Sequence, residues 1–209
     1  RYRETDMVLF QSTYKKTSKP LADAEGPISG TEYMTHNNLR GSVCTTLFRK
    51  EILHDLRFPK DILHEDEEFT PQLMLRAENL YFTNNKAYYY RKREGSIMHK
   101  RDKRWHIRRL SDAEQVLYRL KERLDYLPVK ERIAMERRIA QLTMDHIYNV
   151  ITMTHDETHL NHVLQRLSRH GLFPLPDKDY TSKYKWFRRM TNSSFGRKTL
   201  IMLLRINKG

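Results

Sequence analysis

Five acids and no Lys or Arg fall between residues 61 and 68 of a chain that carries 39 Lys and Arg against 26 Asp and Glu. The stretch contains His64-Glu65-Asp66-Glu67-Glu68-Phe69. A carboxylate held in place can take a proton from a hydroxyl as its oxygen attacks an electrophile, which is general-base chemistry. Further along, Arg91 and Arg93 stand two apart in a β-prone run, a spacing that puts both on one face of a strand. Two guanidinium groups so placed match the oxygens of an anionic group in fork geometry, and Ser96 adds a hydroxyl donor. A base at one place and fixed cations for a leaving anion at another are the needs of a group transfer.

Simpler roles stand beside these. Acids at 65–68 suit the positive end of a helix dipole without any chemistry. Arg91 and Arg93 would also serve as a solvated hairpin edge that discourages strand pairing. His64 reads equally as a surface or capping histidine. His155, His159 and His162 recur at helical spacing, but no carboxylate or Cys is paired with them to complete a metal set.

The elements that position these residues are read from periodicity and punctuation. Residues 6–14 mix apolar and β-prone types and predict a strand. Residues 17–30 hold two Pro and two Gly and predict a loop. Residues 31–38 suit a short helix or turn. Residues 46–56 predict a helix with Leu47, Phe48, Ile52 and Leu53 on one side, closed by Pro59. Residues 65–77 predict a helix with an acidic first turn, whose dipole is expected to keep Asp66 ionised. Residues 80–83 and 87–93 predict two short strands joined by a turn at Asn84-Asn85.

Beyond Lys100 the pattern is helical. Leu110, Leu117 and Leu124 are seven apart, with Ala113, Leu120 and Leu127 on the neighbouring row. Ala140, Met144, Ile147 and Ile151 mark the next helix. Thr154-x-x-Glu157 resembles a capping box before Leu160, Val163, Leu164 and Leu167, and Gly171 suits the stop of that helix. A Pro-bearing stretch follows, and residues 194–206 form a last helix with Met202, Leu203 and Ile206 on its apolar side.

Composition bounds the class. The 209 residues are 38% hydrophobic, 31% charged and 11% aromatic with 12 Tyr, which fits a folded chain with a wide charged surface. The net charge of +13 favours anionic partners. It is concentrated: residues 91–109 hold nine basic and two acidic side chains, and eight basic residues and no acid follow Asp179. The single Cys44 forms no internal disulfide and suits a reducing compartment. No run approaches the ~20 apolar residues of a membrane span. The first residue is Arg1 and the chain opens mid-pattern, so it is expected to be a piece of a longer protein.

An ordered set of motifs resembles the back half of bacterial family 2 glycosyltransferases, the enzymes that build capsule, O-chain or wall polymers. Leu47-Phe48-Arg49-Lys50-x-x-Leu53 is similar to that family's "lyrr-x-x-L" segment. Leu56-Arg57-Phe58-Pro59 is similar to "l-R-F-p", and Glu65-Asp66-Glu67-Glu68-Phe69 to "E-D-x-x-F". Residues 88–97 are similar to "Y-x-Y-R-x-R-x-x-S-I". Each piece is weak alone, whereas the set in order is fairly specific. The resemblance covers residues 6–100.

The resemblance implies an α/β fold: a partial GT-A (nucleotide-diphospho-sugar transferase) domain at 1–100, followed by a helical region with a basic amphipathic tail at 101–209. It implies an inverting transfer of a sugar from a nucleotide-diphosphate donor to a saccharide or lipid-linked acceptor, in surface polysaccharide synthesis. Asp66 would be the base and Glu65 its assistant. His64 would contact diphosphate or acceptor, and Arg91, Arg93 and Ser96 would bind the donor phosphates. A divalent metal, Mg²⁺ or Mn²⁺, is implied for the full-length enzyme, held mainly by its front half and not by these residues alone. The family's "P-x-Y-N" strand and Asp-x-Asp motif do not precede the matching region. The sole Asp-x-Asp, Asp177-Lys178-Asp179, lies in a Pro-flanked loop far past the expected place. Val43-Cys44-Thr45-Thr46 stands where the family has a Trp-x-Lys type segment. The piece by itself is expected to be inactive, and a cytoplasmic location, peripheral at the inner membrane face, is expected.

Two other readings compete. A basic nucleic-acid-binding module would use the charge and Trp105, Trp186 and Phe187 beside cations. The 65–68 acids oppose it, since they repel phosphates, and the transferase reading includes no nucleic acid. The second concerns the tail: residues 183–206 would touch an anionic membrane surface, or else dock on their own domain.

Overall fold

A computed structural model gives the fold and describes residues 4–15, 23–91 and 102–206. The protein is mixed α/β with a small four-stranded sheet and divides into two compact units, Arg1–Trp105 and His106–Gly209.

The first unit is built on β1 (Met7–Thr13), β2 (Glu25–Ile28), β3 (Thr46–Phe48) and β4 (Leu80–Tyr89), in the order β2-β4-β1-β3. β1 and β4 run parallel, and the two outer strands pair antiparallel to them. Residues paired directly across strands share a face. Leu80, Met7 and Phe48 form one row, and Phe82, Leu9 and Thr46 form another on the same side. The row between them, Tyr81, Val8 and Leu47, faces the other way. The first side receives α1 (Gly30–His36) and α2 (Glu65–Met74). Tyr33 of α1 meets Phe82 edge-on at 5.2 Å, and Phe69 of α2 meets Phe48 at 6.4 Å. Met7, Met34, Phe69, Leu73, Met74 and Leu80 are fully buried and form this core.

Three expectations change. Residues 46–56 are not a helix: Thr46–Phe48 pair with β1, and a 3-10 turn follows at Lys50–Leu53. The β-prone Thr-Leu-Phe run gains a ladder partner that a local apolar pattern does not reveal. Residues 80–89 are one strand rather than a hairpin. Leu9 pairs with Phe82 and Gln11 with Lys86, so two steps along β1 match four along β4, and the surplus around Asn84-Asn85 is a bulge. Both halves of β4 find their partner in β1, which leaves nothing for a turn to join. Within the expected loop at 17–30, Glu25–Ile28 form the edge strand β2, where Pro27 needs no ladder donor.

The second unit is helical: α3 (Lys103–Glu122, entering from the first unit), α4 (Val129–Thr154), α5 (Glu157–Arg169), α6 (Ser182–Asn192) and α7 (Ser194–Ile206). α4 is central, and Ala140, Met144, Ile147 and Ile151 are all buried. α5 buries Leu160, Val163, Leu164 and Leu167, as its spacing predicts. The cap of α5 is Asp156, whose carboxylate accepts from the N–H of Thr158 and His159 at 2.8 and 3.1 Å, rather than Thr154. Gly171, at φ 65°, ends it, as expected. α6 lies within the expected helical region, in a stretch for which the sequence marks out no separate helix. No helix among the described residues is long and apolar enough to cross a membrane.

Candidate functional site

The start of α2 is fixed from several directions. Arg57 Nη1 donates to the carbonyls of His54 and Leu56 at 2.8 Å each. Arg76, just past α2, donates to the carbonyls of Ile52 and Leu53 and pairs with Asp55 at 3.0 Å. Arg57 thus closes the 54–57 turn on itself, and Arg76 ties residues 52–55 to α2's far end. Phe58 then stacks on Phe69, with ring centroids 3.9 Å apart and planes 17° from parallel. The Arg57-Phe58 pair is thus a positioning element. Three non-glycine residues in this loop adopt left-handed backbone: His54 (φ 44°), Asp61 (φ 57°) and His64 (φ 66°). Each such conformation costs on the order of 1 kcal/mol, and tight packing has to hold it.

His64 is the residue that turns the chain into α2; its carbonyl accepts from Glu67 N–H at 3.0 Å, and its side chain makes no cap bond. The four acids that follow diverge around the helix. Glu65 is exposed, Asp66 and Glu67 are half-buried, and Glu68 is buried. Asp66 stands three, four and seven positions before Phe69, Thr70 and Leu73, all of which are buried. That spacing is one helix face, so Asp66 is the outermost member of α2's inward stripe.

This placement decides its ionisation. Burial raises the Asp66 carboxyl most, Glu67 and Glu65 raise it further, and backbone N–H bonds of Glu67 and Asp66 itself lower it, leaving it at about 7. The expectation that the helix start keeps Asp66 fully ionised is corrected. The N–H groups do act in that direction, but burial beside two like charges outweighs them. A carboxyl near neutrality exchanges protons readily with a hydroxyl at physiological pH.

The other expected site residues are placed less closely. Arg91 is exposed just past β4, where Tyr90 N–H still bonds the Thr13 carbonyl at 2.8 Å. Among the described residues Arg91 and Asp66 form no ion pair, and the charges acting on Asp66 are its own acidic neighbours. Arg93 and Ser96 lie outside the described residues. A hollow of about 610 Å³ lies on the sheet face away from α1 and α2, lined by Val8, Leu47 and Tyr81 among others; Asp66 is not among its lining residues. His155 closes α4 at φ 51°, and no group of three or more His, Cys, Asp or Glu among the described residues could hold a metal ion.

One constellation had no sequence signal. In the second unit Glu114 is buried and receives Arg166 Nε and Nη2 at 2.7 and 2.9 Å and the Tyr118 hydroxyl, with His146 Nε2 at 3.6 Å. Tyr118 also stacks on His170, centroids 3.6 Å apart. Only the Glu114–Tyr118 spacing of four is local enough to be read from sequence. The cluster ties α3 to α4 and α5.

No protein-family model, no curated protein and no solved structure matches this chain.

Proposed function

We propose that this chain is the base-bearing part of an inverting, family 2-like glycosyltransferase of GT-A type. The reading rests on the ordered motifs and on one structural observation: a carboxyl, Asp66, takes the outermost place on an otherwise uncharged, buried helix face and is poised near pH 7. An apolar residue there would cost nothing, and positions that break the local packing rule are often functional ones.

In this reading Asp66 takes the proton of an acceptor hydroxyl while that oxygen bonds to the anomeric carbon. The bond from that carbon to the donor diphosphate breaks from the opposite side, which inverts the centre. Glu65, exposed beside Asp66, accepts a hydrogen bond from the acceptor, and His64 contacts acceptor or diphosphate. Arg91, with Arg93 and Ser96, meets the charge that develops on the leaving diphosphate. The resemblance also brings a divalent metal, Mg²⁺ or Mn²⁺. Among the described residues no group of three or more His, Cys, Asp or Glu stands together for such an ion, and no step assigned to this chain runs through one.

The test is transfer of labelled sugar from a nucleotide-sugar donor by the enzyme that contains this chain. Asp66→Asn should lower kcat by about 10²–10⁴-fold, the range of lost general-base catalysis, with an unchanged circular dichroism spectrum. The acidic limb of kcat/KM in the wild type should lie near pH 7, since protonation of Asp66 below it removes the base. Transfer by Asp66→Asn at close to the wild-type rate removes the base assignment.

A further inference from the structure

We propose that the outer face of the α6–α7 hairpin is a docking surface for an anionic lipid bilayer. α7 already has an inward side, Leu200 and Ile201, which is buried in the second unit. Its outward side is also apolar. Phe195, Met202 and Leu203 stand at i, i+7 and i+8, on one side of the helix, and are 80%, 65% and 45% exposed. Beside them runs a groove of about 460 Å³ between α4, α6 and α7. Leu203 lines it from α7, Trp186 from α6 and Tyr148 from α4. Trp186 and Tyr148 are themselves 50% and 44% exposed, so the apolar strip continues across the groove. A helix buried on one side and apolar on the other leaves a patch that water does not favour, and such patches mark contact sites.

Charge selects the occupant. Residues 182–206 hold seven Lys and Arg and no acid. Among the described residues Asp177, Asp179 and Glu157 pair with three of these cations, Arg188 at 3.1 Å, Lys185 at 3.4 Å and Lys198 at 4.0 Å, and Asp145, which lines the groove, attracts Lys183. The surface keeps a positive surplus around an apolar centre. A second copy of this chain would bring the same surplus to a two-fold contact, where like meets like. A nucleic acid would engage the cations but leave Phe195, Met202 and Leu203 in water. An anionic bilayer satisfies both parts. Apolar side chains enter the boundary by about 5–10 Å while Lys and Arg meet the headgroup phosphates. Trp and Tyr suit this depth, with an apolar ring and a polar tip. α7, of 13 residues, lies along such a surface for about 20 Å and does not cross it.

The inference does not depend on the transferase reading. Its test is co-sedimentation of the whole chain with vesicles of phosphatidylcholine alone or mixed with phosphatidylglycerol. The chain should pellet with the mixed vesicles and stay in solution with the neutral ones, and added salt should release it. The triple variant Phe195→Ser, Met202→Ser, Leu203→Ser should bind mixed vesicles about tenfold or more weakly. It should stay folded, its melting temperature lowered only slightly, because Phe195 and Met202 are mostly exposed and Leu203 alone is half-buried. Equal binding to both vesicle types overturns the proposal, as does undiminished binding by the triple variant. A wild-type dimer in light scattering that the triple variant abolishes assigns the patch to a second copy instead. Tight duplex-DNA binding by both forms, with no vesicle binding, assigns it to nucleic acid.

Discussion

Phe58 lies flat on Phe69, ring centroids 3.9 Å apart, and Phe69 sits one helical turn beyond Asp66 on the same face of α2. The stack joins the loop that ends in left-handed His64 to the helix that begins there. Phe58 is still 43% exposed, so its ring contributes mainly through that contact. Phe58→Ala should cost about 1–2 kcal/mol, from a lost aromatic pair and partial burial. Thermal melting of the variant checks this. Phe58→Leu, which keeps apolar cover but no ring, should recover part of the loss.

The Asp66 carboxyl gives a pH dependence of definite sign. Its folded pKa, about 7, is raised above its ordinary value of 3.8. The folded state therefore holds this proton more tightly than the unfolded chain does. The associated stability is fully present below pH 4 and is lost as pH rises through 7. Asp66→Asn removes the charge and the penalty together. It should be more stable than the wild type at pH 8, by on the order of 1–2 kcal/mol once solvent screening is allowed for. The difference should shrink steadily as pH falls from 7 to 4. Urea unfolding across that range measures it, and carbon NMR of the side-chain carboxyl gives the pKa directly. A midpoint near 4 would show Asp66 to be an ordinary helix-start acid.

What the sequence shows of this molecule follows the range of the forces involved. α2, α4, α5 and α7 carry apolar residues at helical spacing, a local signal, and each stands within a few residues of its expected place. Leu47 and Phe48 misled for the same reason. With Ile52 and Leu53 they mimic a helix face, while the partner that makes Thr46–Phe48 a strand is β1, some forty residues earlier. The bulge at Asn84-Asn85 likewise depends on the register with β1 and not on the Asn pair, which alone suggests a turn. At the candidate site the acidic cluster and the Arg57-Phe58 motif were visible. That Asp66 belongs to the buried stripe was legible in principle from its spacing to Phe69, Thr70 and Leu73. Its consequence, a carboxyl raised rather than held down, required the burial itself.

Glu114 supplies the opposite case. Burial alone would raise its carboxyl, but the Arg166 pair, then His146 and Tyr118, hold it far below the usual carboxylate range. A lowered acid contributes stability that is present above its ordinary pKa, near 4.5, and is lost as pH falls toward the folded value. Glu114→Ala removes the partner of the Arg166 guanidinium, the Tyr118 hydroxyl and a buried His146 at once. The expected loss is about 1–3 kcal/mol at pH 7, because Arg166 is 45% exposed and water takes over its charge. Glu114→Gln keeps the shape and should lose less. Its deficit against the wild type should narrow below pH 4.5, because the unfolded wild-type carboxyl there takes up a proton that the folded one does not. Urea denaturation at pH 7 and pH 3.5 separates these outcomes.

Gly196 governs how closely α6 and α7 approach. A Cβ built on it would lie 2.3 Å from the carbonyl oxygen of Met190 and 2.7 Å from that residue's Cα, both backbone atoms with no rotamer to relieve the clash. Gly196→Ala must therefore push the two helices apart, at a cost of about 1–3 kcal/mol typical of overpacking. The groove between α4, α6 and α7 should widen with it, because Trp186 and Leu203 sit on opposite helices of the pair. Trp186 then becomes more exposed. In a Trp105→Phe background its emission should shift to longer wavelength in Gly196→Ala, alongside a fall in melting temperature. An unshifted spectrum with an unchanged melting point would mean that the hairpin absorbs the extra methyl elsewhere, and that the close approach at Gly196 does not set its geometry.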